Sequence, residues 1–288
     1  MPASVEELVR LLELEKLEED LYRGAQPASS ALPRVYGGQV AAQALMAACN
    51  SVPAGRHVHS LHSYFLLPGD PSIPIVYDVE RIRDGGSFST RRTSARQHGA
   101  IIFYLTASFH KHEAGFDHQE SMPDVPAVED AVRLEDLGGG KGADRARRWM
   151  QEWAALDVRY IGDNRPADEA ARAQDPAVQR LWFRAKGQLP ADAALNACVL
   201  TYASDLTLLG SSLVPHGVVI GSPAVQAASL DHAVWFHREV HVDQWLLYDQ
   251  SSPSASNARG LAIGKVFDQT GRLVATVAQE GLIRPITR

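Results

Sequence analysis

One carboxylate lies inside the most apolar run of the chain. The stretch Asn196 to Leu209, NACVLTYASDLTLL, is preceded by Leu195. With Val199, Tyr202, Leu206 and Leu209 it recurs at intervals of four, three, four and three residues, the spacing of one buried helix face. Asp205 sits one residue from that stripe. A helix that is apolar nearly all round has to be wrapped, most simply by a sheet. Asp205 is therefore expected as a half-buried acid at a helix–sheet boundary, where it can exchange a proton, although a lone Asp is more often a surface group. A second feature is Val35-Tyr36-Gly37-Gly38-Gln39, which opens the run VAAQALMAACNSV. Val40, Ala44, Leu45 and Ala48 form the buried face of a helix there. Its first turn carries orphan N–H groups and positive potential, and two glycines let a ligand approach the backbone. A plain helix start accounts for the pair equally well.

The whole chain bounds what such groups can serve. Its 288 residues suffice for one large core or two ordinary domains, and 28 basic against 34 acidic side chains give a net charge of −6. That balance disfavours nucleic acid or an anionic membrane as a general partner. It leaves room for a local basic groove, with Arg91-Arg92 conspicuous in an acidic protein. Cys49 and Cys198 are far apart in apolar helical contexts. They read as buried free thiols, not as a disulfide framework or a metal site, which fits a reducing compartment. The N-terminus has no basic region followed by an apolar run, so no signal peptide is expected. No stretch is read as a membrane span. The default location is the cytoplasm.

The elements that must position these groups can be taken in order. Ser4 and Glu7 form a capping-box pair ahead of Leu8, Leu11, Leu12 and Leu14, predicting an amphipathic helix that ends near Gly24. Ala25 to Arg34 is a loop, followed by the glycine-led helix. Val58–Leu67, Pro74–Arg83, Ser87–Gln97 and Ala100–His110 read as four strands in a meander, with turns at Pro68-Gly69-Asp70-Pro71, Asp84-Gly85-Gly86 and His98-Gly99. Glu113 to about Gly142 breaks the pattern, with Pro123, Pro126 and Gly138-Gly139-Gly140. Arg145–Leu156 is predicted helical, Val158–Ile161 a short strand, Arg165–Asp175 charged and exposed, and Val178–Lys186 a strand. After the Asp205 helix, Ala224–Glu239 carries a strand and Asp243–Tyr248 another. Asp249–Asn257 is turn-rich. Ala258–Phe267 and Arg272–Arg284 are strands around a turn at Gly271.

The two halves repeat. Each runs apolar helix, strand with Ser-Leu, further strands, a turn ending in Gly and a final apolar strand. Ser60 precedes Gly99 by 39 residues and Ser229 precedes Gly271 by 42 (99 − 60 and 271 − 229). This predicts a tandem duplication of an α+β unit, one helix against an antiparallel sheet. The two sheets are expected to join edge to edge, which protects exposed edges.

With the repeat in view, the segments ASDLTLLGSSL, ASLDHAVWFHR, LLYDQSSPSASNARGLAIGKVFDQTGRLVATVAQEGLIR and VYGGQVAAQAL resemble the bacterial type II acyl-CoA thioesterases. The resemblance covers nearly the whole chain and is weakest in Glu113–Leu156. It implies a double hotdog fold, with residues 1–112 as an N-terminal repeat, 113–156 as a linker and 157–288 as a C-terminal repeat bearing the catalytic residues. The family's hydrolytic trio falls on Asp205, Ser229 and Gln279, with Ser229 where many members have Thr. Either residue supplies one hydroxyl. The first-half helix has no matching Asp, so one active site per chain is implied. In this reading a water held by the trio attacks the thioester of a medium- to long-chain acyl-CoA. Gly38 and Gln39 are candidate oxyanion donors, and Arg91, Arg92, Arg259 and Lys265 are candidate partners of the CoA phosphates. No cofactor or metal is implied. A homo-oligomer, dimer or tetramer, is expected.

Two other functions fit a hotdog protein. An enoyl-CoA hydratase resembles a pattern with a His five residues after the catalytic Asp, and position 210 here is Gly. A non-catalytic acyl-CoA-binding protein has no need of the trio. Ser229 lies outside any Gly-x-Ser-x-Gly elbow, so an acyl-serine intermediate is not expected. His232 and His237 share its strand region, where a structural role is the commoner one.

Overall fold

Two helices that are apolar almost all round form the centre of the protein. The computed structural model describes residues 1–28, 32–137, 152–164 and 177–286. Helix α1 spans Val5–Leu12, α2 Gly37–Cys49 and α3 Ala193–Ser204. In α2, Ala41, Ala42, Ala44, Leu45, Ala47 and Ala48 are completely buried. Such small side chains let α3 pack closely, and the two helices contact one another along their buried faces. Asp192 caps α3, its carboxylate accepting from the N–H groups of Ala194 and Leu195 at 2.8 and 3.1 Å.

Around them, among the described residues, run fourteen strands. These are β1 Glu15–Glu18, β2 Leu21–Gly24, β3 Arg56–Phe65, β4 Ile75–Asp84, β5 Phe88–Gln97, β6 Ala100–Lys111 and β7 Val132–Arg133. The second half supplies β8 Leu156–Asp163, β9 Ala177–Ala185, β10 Val225–Ser229, β11 Asp231–Phe236, β12 Leu246–Ser256, β13 Arg259–Asp268 and β14 Leu273–Pro285. The sheet order is β1-β2-β4-β5-β6-β3-β11-β14-β13-β12-β9-β8-β7, with β10 beside β14. The two halves join edge to edge through β3 and β11, from Tyr64↔Asp231 to Ser60↔Trp235. Each half is therefore a helix against its own antiparallel sheet, the layout implied by a double hotdog.

The turn glycines of the repeat do the same work in both halves: Gly99 and Gly271 have φ of +79° and +84°, a region that L side chains rarely adopt. The strands are not a plain meander. In each half the first strand pairs with the last, β3 with β6 and β11 with β14, which wraps the sheet around its helix.

Local expectations fail where tertiary pairing overrides composition. The first helix stops at Leu12 instead of running to Gly24, because Glu15–Gly24 forms the β1–β2 hairpin, turned at Asp20 with φ of +60°. Asp20 and Glu19 hold Arg81 of β4. The turn-rich Asp249–Asn257 is mostly strand β12. Its Pro253 falls at a register irregularity between Ser251 and Ser254, where the missing N–H breaks no ladder bond. Of the predicted helix Arg145–Leu156, residues 145–151 lie outside the described residues, and Leu156 begins β8. Gly138–Gly140 and Arg165–Asp175 also lie outside them.

The predicted Asn196–Leu209 helix ends early, at Ser204. Asp205 is its C-cap, and a 3₁₀ segment, Leu208–His216, follows. By composition the stretch Ala193–His216 is long and apolar enough to cross a membrane, but 78% of its apolar window is buried inside this protein. It is a core segment.

Candidate active site

The end of α3 leaves carbonyl groups that no further turn can satisfy. Two tyrosines take them. Tyr36 Oη donates to Tyr202 O at 2.7 Å, and Tyr248 Oη donates to Ser204 O at 3.0 Å. Tyr36 stands immediately before α2, so this bond fixes the N-terminus of α2 against the C-terminus of α3. Asp205 emerges at that junction, partly buried.

Three donors converge on its carboxylate. Gln279 of β14 donates through Nε2 to Oδ1 at 2.5 Å, and Ser229 of β10 donates through Oγ to the same oxygen at 3.4 Å. The backbone N–H of Gly38, in the first turn of α2, is the third. Burial pushes the carboxyl up to about 6, and the hydrogen bonds from Gln279, Gly38 and Ser229 and the charge of Arg34 only partly oppose it. An acid so poised loses and regains a proton near neutral pH.

A bulge aims Ser229 at this point. The predicted Ala224–Glu239 strand is broken at Leu230 into β10 and β11. Ser229 pairs with Gly281 but Ala233 pairs with Ala278. Four residues advance on one strand against three on the other, so one extra residue is inserted beside the site. The break is held by Leu230 N–H donating to Glu280 O, Glu280 N–H to Asp231 Oδ1, and Phe65 N–H to Leu230 O. The α2 glycines are required by contact. A Cβ on Gly37 would lie 2.9 Å from Asp205 Oδ2 and 2.8 Å from Phe65 Cε1, and one on Gly38 would lie 2.6 Å from Tyr202 O.

The structure thus brings Asp205, Ser229, Gln279 and Gly38 together. It redirects the other candidates. The Gly38 N–H is engaged by Asp205, not free for an oxyanion, and Gln39 is buried with its amide donating to Gln26 Oε1 at 2.9 Å. Arg91 is completely buried, donating to Asp84, Ser51 and backbone carbonyls, so it cannot meet a phosphate. Arg92 pairs with Glu80, Arg259 with Glu280 and Lys265 with Glu120. The sequence reading missed Tyr36, Tyr248 and Arg34. Arg34 lies three residues before Gly37, is exposed, and donates to Ala227 O of β10 at 3.4 Å. Among the described residues no group of His, Cys, Asp and Glu is arranged to hold a metal ion.

Arg34 makes a pH prediction. A positive charge favours the ionised carboxylate, so Arg34→Gln moves the acid limb of kcat/KM to higher pH, and Arg34→Lys moves it back. A limb that stays put in the Gln variant would show that the charge does not reach Asp205.

The fold is that of a hotdog-fold thioesterase. Residues 160–282 match the family described as acyl-CoA thioesterase, and residues 25–110 match its N-terminal domain. The chain belongs to the acyl-CoA thioesterase family. It is 40% identical over 281 residues to acyl-CoA thioesterase 2 of Haemophilus influenzae, covering 96% of each chain. It is 41% identical over 285 residues to acyl-coenzyme A thioesterase 8 of Mus musculus, covering 95% of this chain and 88% of the relative. Among solved structures, acyl-CoA thioesterase II TesB2 from Mycobacterium marinum superposes with a TM-score of 0.81 at 44% identity, covering 99% of each chain. A hot dog fold protein from Alicyclobacillus acidocaldarius, at 23% identity and a TM-score of 0.76, shares the fold.

Proposed function

We infer that this chain hydrolyses acyl-CoA thioesters to a carboxylic acid and CoA, by attack of a water that Asp205, Ser229 and Gln279 hold. The observation that carries this reading is the convergence of three donors on one carboxylate raised to about 6. Asp205 takes the proton of the water as it adds to the thioester carbon. Ser229 and Gln279 orient the carboxylate and the water. The first-turn N–H groups of α2 other than that of Gly38, which Asp205 takes, and the positive end of this helix, which has no side-chain cap, are the donors proposed for the negative charge that develops. Attack by water needs no nucleophilic side chain, in keeping with a Ser229 whose hydroxyl is turned to a carboxylate and not to a His.

The acyl group is inferred to be of medium to long chain. Val225 of β10 and Ile283 of β14 each lie four residues along their strand from Ser229 and Gln279, so their side chains share that face. There they line a groove of about 270 Å³ with Leu213 and Val218. Its walls are mostly apolar, which suits an acyl tail.

The test is free-thiol release from a series from octanoyl- to palmitoyl-CoA, with the quenched reaction examined by mass spectrometry. The expected result is turnover with no acyl group on the protein. Turnover with an acylated Ser229 would replace the water mechanism by a covalent one, and binding without thiol release would reassign the chain as an acyl-CoA-binding protein.

A further inference from the structure

Two glycines face one another across the sheet between the catalytic cluster and the apolar groove, Gly260 of β13 and Gly281 of β14. With no side chain at either, the sheet has a trough there, and the 3₁₀ segment Leu208–His216 is seated in it. A Cβ on Gly260 would lie 2.6 Å from both Cβ and Oγ of Ser212. One on Gly281 would meet Leu209 Cδ1, and Leu209 Cδ2 at 2.5 Å. The methyl groups of Leu209 therefore occupy the place that a side chain on Gly281 would take.

That place lies between the reacting centre and the groove. Alternate residues of a strand share a face, so Gln279, Gly281 and Ile283 follow one another along the inner face of β14. All three are buried, and Glu280 and Leu282 between them are partly exposed. Gln279 holds Asp205, Gly281 pairs with Ser229, and Ile283 lines the groove. At the usual rise of a strand, Gly281 is about 7 Å beyond Gln279 and Ile283 about 14 Å beyond it. Leu209 stands over the middle position. It is buried in one apolar cluster with Leu213 and Ile283. Leu213 is four residues further on and lines the groove, which leaves Leu209 on the side toward Asp205.

We propose that Leu209 is the specificity-determining residue for acyl-chain length. A tail that stops short of it is accepted without displacing it. A longer tail reaches the groove only by turning the Leu209 side chain aside. This rests on the reading of Asp205 and of the groove given above. A leucine turns between staggered rotamers, whereas the β14 backbone beneath it is held by β10 on one side and β13 on the other. A butanoyl tail is shorter than the first of the two distances, and a palmitoyl tail exceeds the second.

The test compares kcat/KM for thiol release from palmitoyl-CoA and butanoyl-CoA. Leu209→Ala is expected to raise the palmitoyl-to-butanoyl ratio about tenfold, the scale on which small changes in an apolar pocket discriminate substrates. Leu209→Val should raise it less, and serves alone if the Ala variant is too unstable to assay. Val225→Phe fills the groove, and added to Leu209→Ala it should return the ratio toward that of the wild type. A ratio that does not move, or an equal loss with both substrates, would make Leu209 a packing residue only. A raised ratio that survives Val225→Phe would place the tail elsewhere and overturn the proposed path. Calorimetric binding of the thioethers butyl-CoA and hexadecyl-CoA to the same variants reads the same preference without turnover. A wild type that binds them and releases no thiol from either ester would overturn the thioesterase reading, and the ratio of those affinities would still decide the role of Leu209.

Discussion

Asp205→Asn is expected to lose about two to four powers of ten in kcat for thiol release, the range for removing a proton acceptor or a charge-stabilising group, and to melt at a higher temperature than the wild type. The two effects have one origin. Burial holds the folded-state pKa at about 6 against an ordinary 3.8. Protonated Asp205 therefore favours the folded state. That contribution is complete below the unfolded pKa and is lost as pH rises through about 6. At one pKa unit per 1.36 kcal/mol, the ionised carboxylate costs the native protein on the order of 3 kcal/mol at neutral pH. Asn carries no charge and keeps an acceptor for Gln279. It also points an amide donor at a site built of donors, so a net gain of about 1–3 kcal/mol is expected. The check is thermal unfolding from pH 5 to 7: the wild type should lose stability over that range relative to the Asn variant. An Asn variant that is inactive and also less stable would mean that Asp205 is held for structure.

Gly38→Ala is the second large effect. The added methyl would meet Tyr202 O at 2.6 Å and the Tyr36 ring carbon Cε1 at 2.7 Å. The first of these is backbone inside a buried helix and cannot turn away. Either α2 moves off α3 or the Tyr36–Tyr202 bond opens, and overpacking of this kind costs about 1–3 kcal/mol. The Gly38 N–H withdraws from Asp205 with it, so the carboxyl pKa should rise and the acid limb should move alkaline. Activity at pH 7 should fall well beyond what the loss of folded protein explains. Circular dichroism melts with kcat on the folded fraction separate these. A variant of wild-type stability and rate would show that the helix junction has slack the structure does not reveal.

Much of this site was legible in the sequence, but unevenly. The apolar run around Asp205 announced a wrapped helix, because only an interior helix can be apolar on every face. The glycine pair announced a close approach, and the approach is to Asp205 itself. That Ser229 and Gln279 meet Asp205 came from the family resemblance, since nothing in local spacing joins residues 74 positions apart. The end of α3 at Ser204 was not legible. Asp205 and the residues after it continue the helical period, and what stops the helix is a pair of tyrosine hydroxyls from distant segments. The bulge at Leu230 was hidden for a similar reason: it appears only as a mismatch in pairing with β14. Arg91 shows the opposite failure. Its charge suggested a phosphate partner, while the fold buries it on Asp84 and Ser51. Charge counts do not reveal which cations are already taken.

Activation of the attacking water requires Asp205 to be ionised as turnover begins. The direct measurement is kcat/KM for thiol release by the wild type from pH 5 to 8. A single acid limb with a midpoint near 6, rising to a plateau above it, is the result expected of a buried carboxylate acting as base. A profile flat across that range, or one with its midpoint at the ordinary value for an aspartate, would mean that Asp205 does not take the proton of the attacking water.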